Sequence, residues 1–437
     1  MLRKLRQIVL IAGDIILAYL ALLLTCYFGF LGNFRWETFY QHLVPFSLLY
    51  FFWFILFYIF GLYDLNLIRP KLEFLARTGE CFLACFGLGL IFFYLIPFFG
   101  IAPKTNLLID ILIFGILFLA WRRGFYYLFS SYLLQNVGFL GKNPLSRNLA
   151  EEIKKNPQLG YRIVKFLDPR KNISSQIKRG KIDILIIARN LDGTSKLTKG
   201  LYQCLPLKIS FMDLARAYEI LLHKIPIDFV SQTWFLENLA EGEKKIYDKL
   251  KRFFDVILAA LIIGITSPLW LIFAILIKSE DKGPVFYKQK RIGKDRKEFW
   301  LWKFRSMKVG AEKMGKPKWA EKDDPRVTKI GKILRKTHLD ELPQMINILK
   351  GDISLVGPRP ERPEFVKKLE RKIPYYHLRH IIKPGFTGWA QIKFRYARSI
   401  MDSFEKFQYD LYYIKNRSFF LDLGILLKTF QLFFKRE

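Results

Sequence analysis

The stretch FFDVILAALIIGITSPLWLIFAILIK, residues 253–278, decides how this chain meets a membrane. As a helix it is long enough to cross the hydrocarbon core of a bilayer, which is about 30 Å thick. Basic residues stand on both of its flanks: Lys249, Lys251, Arg252, Lys278, Lys282, Lys288, Lys290 and Arg291. Because basic segments next to membrane helices stay on the cytoplasmic side, the stretch is predicted to enter the membrane without crossing it.

Ser267 and Pro268 stand near the centre of this stretch. Proline has no backbone N–H to donate, and its ring disfavours helical geometry at the preceding residue, so we expect a kink here. A kinked helix over residues 253–278 would form a re-entrant hairpin with both ends in the cytoplasm. The alternative is a straight fifth span, which would place the C-terminal third of the chain outside the cell.

The composition indicates a membrane protein that handles phosphate. Of the 437 residues, 51% are hydrophobic and 42 are Phe, which is more than an ordinary soluble protein carries. The formal net charge of +32 favours partners that bear phosphate, such as anionic lipid, nucleotide-sugars or nucleic acid. The four cysteines form no paired metal-binding motif, so neither a zinc site nor a disulfide framework is predicted.

Four further apolar runs, near residues 8–31, 43–63, 80–99 and 106–129, predict a four-helix transmembrane domain over residues 1–130. The first run is interpreted as an anchor and not as a cleaved signal, because it is long and lacks an obvious cleavage site. Basic residues concentrate before the first run, after the second and after the fourth, which places both ends of this domain in the cytoplasm. Asp14 and Asp110 are interpreted as helix-packing residues, since neither has an obvious basic partner.

Short apolar runs alternate with polar helical stretches over residues 131–245, which predicts βα units and a parallel sheet. The turn after the first predicted strand is GFLGKNPLSRNLAEEI, beginning at Gly138. Gly141 is present in it, but the full GxGxxG pattern of dinucleotide-binding sites is not. We therefore expect a Rossmann-like domain without a working nucleotide site.

Residues 246–437 carry densely spaced motifs and many cations that can hold phosphate oxygens. The motifs include KFRSM from Lys303, DPRVTKIGKILRKTHLDELPQ from Asp324 and NILKGDISLVGPRP from Asn347. Four cations are expected to bind phosphate: Lys303, Arg305, Arg326 and Arg335. Lys329 and Lys332 are expected to lie on an exposed basic face of a helix instead.

Asp340 and Glu341 are the candidate catalytic pair of this region. A helix is expected to begin near Asp340, because Pro343 is tolerated only in a first turn and Gly351 would end the run. The positive end of a helix favours an ionised carboxylate and also a bound phosphate. An ionised Asp can attack phosphorus, and a neighbouring Glu can help to hold a divalent cation. As an isolated feature the pair would be an ordinary helix start.

Together with KPGFTGWAQ from Lys383 and QYDLYYIKN from Gln408, these motifs resemble the bacterial sugar transferase family, the monotopic polyprenyl-phosphate glycosyl-1-phosphate transferases. The resemblance runs from about Tyr247 to Glu437 and includes the Ser-Pro pair of the predicted hairpin. The four N-terminal spans and the Rossmann-like domain resemble the large-membership branch, which starts exopolysaccharide or capsule repeat units. After TGWAQ the chain has IKFRYARS, with Arg395 and Tyr396, where many members have a loop that contains Gly-Arg.

The resemblance implies a two-step transfer of a hexose-1-phosphate. Asp340 attacks the sugar-bearing phosphate of a UDP-sugar, UMP leaves, and undecaprenyl phosphate takes the phosphosugar from the covalent aspartyl intermediate. Mg²⁺ is implied, with Asp340 and Glu341 as ligands, as is a polar pocket that includes Gln344, Asp352 and Arg359. The implied location is the bacterial inner membrane, with the catalytic domain of residues 246–437 on the cytoplasmic face, and a homodimer is compatible with it.

Three rival functions fit the sequence less well. A polytopic phosphosugar transferase would need many more spans, and a nucleotide-sugar dehydratase would need the missing glycine pattern. A scaffold or nucleic-acid binder would explain the charge, but no recognised nucleic-acid module accompanies it. The terminal stretch SFFLDLGILLKTFQLFF, from Ser418, is predicted to be a helix that lies on the membrane or packs on the catalytic core.

Overall fold

The computed structural model describes residues 2–29, 34–65, 68, 72–95, 104–188, 196–239, 244–311, 324–394 and 399–434. The chain divides into two compact units, Met1–Leu214 and Ala215–Glu437. Residues 395–398, where the sequence departs from the family pattern, lie outside the described residues.

The first unit begins with four long helices: α1 (Leu2–Gly29), α2 (Trp36–Ile59), α3 (Leu72–Leu95) and α4 (Lys104–Tyr127). Within the described residues, five helices are long and apolar enough to cross a membrane, these four and Lys245–Asp281 of the second unit. Aromatic rings fill the interior of the bundle, with Phe114 stacked on Phe57 and on Trp53 at centroid distances of 5.9 and 6.2 Å. The four predicted apolar helices are therefore present.

Asp14 has a basic partner, contrary to the expectation from the sequence. Arg122 Nη2 lies 2.7 Å from Asp14 Oδ2, and both side chains are almost completely buried. Arg122 follows a long apolar run, so the sequence suggested a charge at the membrane surface, whereas the packing of α1 against α4 brings the two together. Asp110 accepts a hydrogen bond from the Tyr50 hydroxyl at 2.8 Å. Asp14 thus links α1 to α4, and Asp110 links α4 to α2. Both contacts agree with the interpretation of these residues as packing residues.

The rest of the first unit is a parallel four-stranded sheet with helices between its strands. Its elements are β1 (Gln135–Leu140), α5 (Pro144–Lys155), β2 (Tyr161–Leu167), α6 (Ile173–Gly180), β3 (Ile184–Ile187), α7 (Lys196–Tyr202) and β4 (Ser210–Asp213), with strand order β2-β1-β3-β4. The predicted parallel sheet is confirmed. In the turn after β1, Asn143 and Ser146 cap α5 reciprocally, so the backbone N–H of Ser146 is already bonded to a side chain. That the domain has no working nucleotide site stays a prediction.

The second unit holds the remaining elements. They are α8 (Leu214–Leu222), α9 (Gln232–Asn238), α10 (Lys245–Asp281), β5 (Phe286–Ile292), β6 (Glu298–Phe304), α11 (Lys329–Lys336), α12 (Gln344–Lys350), β7 (Ser354–Val356), α13 (Pro363–Glu370), β8 (Gly385–Thr387), α14 (Trp389–Lys393), α15 (Ile400–Asn416) and α16 (Phe419–Phe434). β5 and β6 form an antiparallel hairpin, and β7 pairs with β8 in parallel. A shared apolar core includes Ala259 of α10, Ile348 of α12, Leu355 of β7 and Leu411 of α15.

The long helix α10, which contains Pro268, contacts the rest of the second unit on both sides of its middle. In its first half, Arg252 donates to the carbonyl oxygen of Leu349 at 2.8 Å. At its end, Asp281 pairs with Arg305, and Glu280 accepts the backbone N–H of Lys329 at 2.6 Å. Large apolar side chains between these contacts are exposed: Leu261, Ile265, Leu269, Leu271, Ile272 and Ile275.

Candidate active site

Asp340 and Glu341 lie in a single 3₁₀ turn, Leu339–Glu341, and not at the start of an α-helix as the sequence predicted. The α-helix α12 begins four residues later, at Gln344, with Pro343 as its N-cap, and ends at Gly351. Pro343 has no N–H, and the residues before it bond three residues back instead, with Glu341 N bonded to His338 O at 3.2 Å. The pair is therefore held by a tight turn between α11 and α12.

Glu341 is clamped by two cations. Lys303 Nζ donates to Glu341 Oε1 at 2.6 Å, and Arg359 Nη2 donates to the same oxygen at 2.5 Å. Arg359 Nη1 reaches Glu341 Oε2 at 3.3 Å, so its guanidinium contacts both carboxylate oxygens. Burial alone would raise the pKa of Glu341, but Arg359 and Lys303 together hold it well below its usual value. Glu341 is thus a fixed anion between two fixed cations.

Asp340 stands beside this clamp with its carboxylate less fully engaged. Its Oδ2 lies 3.9 Å from Lys303 Nζ, and the residue is 7% exposed. Burial raises the pKa of Asp340, Lys303 opposes that shift, and the neighbouring charge of Glu341 adds to it. A carboxylate that is poorly solvated and only loosely paired is more nucleophilic than one surrounded by donors.

The structure places the other predicted cations in different settings. Arg305 is bonded to both carboxylate oxygens of Asp281 and to the carbonyl oxygen of Pro284, so it joins the end of α10 to β6. Arg326 is bonded through two nitrogens to Asp324, its neighbour but one in sequence. In this structure the guanidinium N–H groups of Arg305 and Arg326 therefore donate to acceptors of the protein.

Arg335 is the remaining predicted cation near the pair. Its Nε donates to Ser306 Oγ at 2.9 Å, and its charge opposes the rise that burial causes in the pKa of Asp340. Lys329 and Lys332 are exposed on the outer face of α11, as predicted. The cations grouped with the carboxylate pair are therefore Lys303, Arg335 and Arg359.

The two predicted polar residues differ in their surroundings. Gln344 is 2% exposed, and within the described part of the chain its Nε2 has no hydrogen-bond partner, which suits a group that awaits a ligand. Asp352 accepts from Asn347 Nδ2 at 2.9 Å. Asn347 also bonds the backbone of β6 at Trp300 and Trp302, so this amide fixes α12 against β6. Sequence reasoning missed Asn347, although it stands in the NILKGD motif.

The residues present can hold a divalent cation together with a phosphate ligand. Mg²⁺ is commonly bound by one or two carboxylates plus substrate phosphates, and a carboxylate offers about four lone-pair positions. Asp340 and Glu341 supply two adjacent carboxylates, although Lys303 and Arg359 already occupy part of Glu341. Within the described residues, no group of three or more His, Cys, Asp or Glu side chains could hold a metal by itself. Substrate phosphate oxygens or water would complete the coordination of a cation here.

Comparison with known proteins places residues 246–436 in a match to the family model described as "Bacterial sugar transferase". The chain is 41% identical over 241 residues to the UDP-N-acetylgalactosamine-undecaprenyl-phosphate N-acetylgalactosaminephosphotransferase of Aeromonas hydrophila, covering 55% of this chain and 56% of that protein. It is 33% identical over 317 residues to the UDP-glucose:undecaprenyl-phosphate glucose-1-phosphate transferase of Klebsiella pneumoniae, covering 68% and 67%. A putative undecaprenyl-phosphate N-acetylgalactosaminyl 1-phosphate transferase of Bacillus subtilis is 51% identical over 128 residues, covering 29% and 71%. The chain thus spans between about half and 71% of the length of these relatives.

Proposed function

This chain belongs to the bacterial sugar transferase family, and from that premise we propose that it transfers a hexose-1-phosphate from a UDP-sugar to undecaprenyl phosphate. The observation that carries the proposal is a buried carboxylate, Asp340, beside a second carboxylate that two cations hold in place. The product would begin an exopolysaccharide or capsule repeat unit on the cytoplasmic face of the bacterial inner membrane. A homodimer is part of the proposal by family resemblance.

In the first step an Asp340 carboxylate oxygen attacks the phosphorus that bears the sugar. A bond forms between that oxygen and phosphorus, the phosphoanhydride bond breaks, and UMP leaves with the bridging oxygen. Lys303 and Arg335 lie near Asp340 and are placed to attract the anionic donor. Gln344 Nε2 is a donor available for a substrate oxygen.

In the second step an oxygen of undecaprenyl phosphate attacks the same phosphorus. The acyl-phosphate bond to Asp340 breaks, which restores the carboxylate and yields the lipid diphosphate sugar. Mg²⁺ held by Asp340 and Glu341 would neutralise phosphate charge when it is bound. Glu341, fixed by Lys303 and Arg359, keeps the local charge balanced while the substrates exchange.

A panel assay tests the proposed function directly. The purified full chain in detergent is incubated with each of several radiolabelled UDP-sugars, undecaprenyl phosphate and Mg²⁺. We expect a labelled lipid product and stoichiometric UMP with at least one donor. Absence of both products with every donor would reject the activity.

The proposal also includes the re-entrant hairpin over residues 253–278. Its support is that one compact unit contacts both halves of α10, through Arg252 at one side and Asp281 at the other, while the apolar middle is exposed. A helix that crossed the bilayer would have its ends on opposite sides, where one folded unit could not contact both. Exposed apolar side chains in the middle are suited to lipid.

Cysteine labelling tests the hairpin, and the native chain suits it because all four of its cysteines are buried. Trp300 is 52% exposed and Trp36 is 60% exposed, so a thiol at either position would be reachable. In intact cells we expect an impermeant maleimide to label the Trp36→Cys variant and to leave the Trp300→Cys variant unlabelled until the membrane is opened. Labelling of Trp300→Cys from outside would establish the straight fifth span instead.

A further inference from the structure

Backbone groups of the loop that carries Arg359, residues 357–361, form hydrogen bonds to neighbouring segments of the protein. Gly357 N donates to Thr387 O, and Pro358 O accepts from Gly385 N, each at 2.9 Å. The Arg359 carbonyl oxygen accepts from Arg379 Nη2 at 3.0 Å, and the Pro360 carbonyl oxygen accepts from Arg291 Nη1 at 3.0 Å. The guanidiniums of Arg379 and Arg291 therefore hold the backbone at Arg359 and Pro360, where the Arg359 side chain leaves the loop.

Arg379 is the more deeply buried of the two, and both of its Nη atoms donate hydrogen bonds to protein acceptors. Its side chain and that of Asp410, on α15, are each 3% exposed, and Arg379 Nη2 lies 2.9 Å from Asp410 Oδ2. Arg379 Nη1 donates to the Tyr376 hydroxyl. Burial of a guanidinium is unfavourable unless nearby anions offset the loss of hydration, and Asp410 is the carboxylate that pairs with Arg379 directly.

We propose that Arg379, with Asp410 as its counter-ion, is a positioning residue that acts through the Arg359 backbone to keep the Arg359 guanidinium on Glu341. The inference rests on the proposed transferase function. The planar guanidinium presents its donors in fixed directions, and Nη1 and Nη2 of Arg379 together bond three acceptors. Neither Arg379 nor Asp410 contacts Asp340 or Glu341 in the described structure, so their effect reaches the site through Arg359.

Two variants test the inference in the full chain. The Arg379→Lys variant keeps the positive charge but lacks the two Nη donors of the guanidinium. The Asp410→Asn variant removes the counter-ion of Arg379. We expect each to lower kcat by about 10- to 30-fold while KM for the UDP-sugar changes by less than about 3-fold, because the clamp orients Glu341. The control is Lys415→Gln on α15, the helix of Asp410, which removes the ion pair with Glu219 of α8 and should keep kcat within about 2-fold of the parent.

A double-mutant cycle separates positioning from a general effect on folding. If Arg379 acts through Arg359, then Arg379→Lys should lower kcat by less than about 2-fold in an Arg359→Ala background. Multiplicative losses in the double variant would overturn the inference, as would an unchanged kcat in Arg379→Lys. Loss of the cooperative thermal transition in both Arg379→Lys and Asp410→Asn would also overturn it, since the pair would then serve the fold alone. Failure of the parent chain with every donor would instead reject the proposed function.

Discussion

Replacement of Asp340 by asparagine is expected to abolish sugar-phosphate transfer, with a loss of about 10³-fold or more in kcat. The amide has nearly the shape of the carboxylate but no anionic oxygen that can attack phosphorus. Water that attacked the phosphorus in its place would release free sugar phosphate and would leave no covalent intermediate. The covalent intermediate should disappear together with the product.

The measurement omits undecaprenyl phosphate and follows radiolabel from the UDP-sugar into denatured protein. The parent chain should retain label and release one equivalent of UMP, and the Asp340→Asn variant should do neither. The control is Glu298→Gln, which removes a half-exposed ion pair with Lys290 and should leave labelling intact. Full turnover by Asp340→Asn would show that another group is the nucleophile.

The sequence predicted the residues of the site better than their contacts. Asp340, Glu341, Lys303 and Arg359 come from motifs separated along the chain, and the structure brings their side chains together. Residue type and motif context predicted Lys303 and the two carboxylates, whereas Arg359 was predicted from the resemblance to the family. Their catalytic roles stay proposals.

Contacts between distant segments could not be predicted in the same way. Arg305 was expected to bind phosphate, yet its fork is occupied by Asp281, because the end of α10 returns against β6. Asp14 pairs with Arg122 across 108 positions of sequence. Both pairings depend on tertiary packing, which no local pattern encodes. The start of α12 at Gln344, later than predicted, has a local cause. Pro343 lacks a backbone N–H, and the prediction did not account for its effect on the turn before it.

Glu341→Gln is expected to damage both stability and turnover, because it leaves Lys303 and Arg359 without the anion that they share. Because the Lys303 and Arg359 side chains are 19% and 34% exposed, we expect a loss of about 1–3 kcal/mol and a lower unfolding temperature. Among the described residues, Asp340 is then the carboxylate that pairs with Lys303, at 3.9 Å, and the freed ammonium should move closer to it and reduce its nucleophilicity. We expect a loss of about 10²- to 10³-fold in kcat.

The double variant Lys303→Met/Glu341→Gln distinguishes charge balance from catalysis. It removes one cation and one anion together, so the net charge of the site returns to that of the parent chain, and Arg359 can pair with Asp340, whose charge already acts on it. Thermal stability should recover relative to Glu341→Gln, because one of the two cations that had lost their shared anion is gone. Turnover should stay low, because Asp340 is now paired and the fixed Glu341 anion is absent. A double variant less stable than Glu341→Gln would contradict the charge-balance argument, and parental turnover in Glu341→Gln would show that the clamp has no part in the reaction.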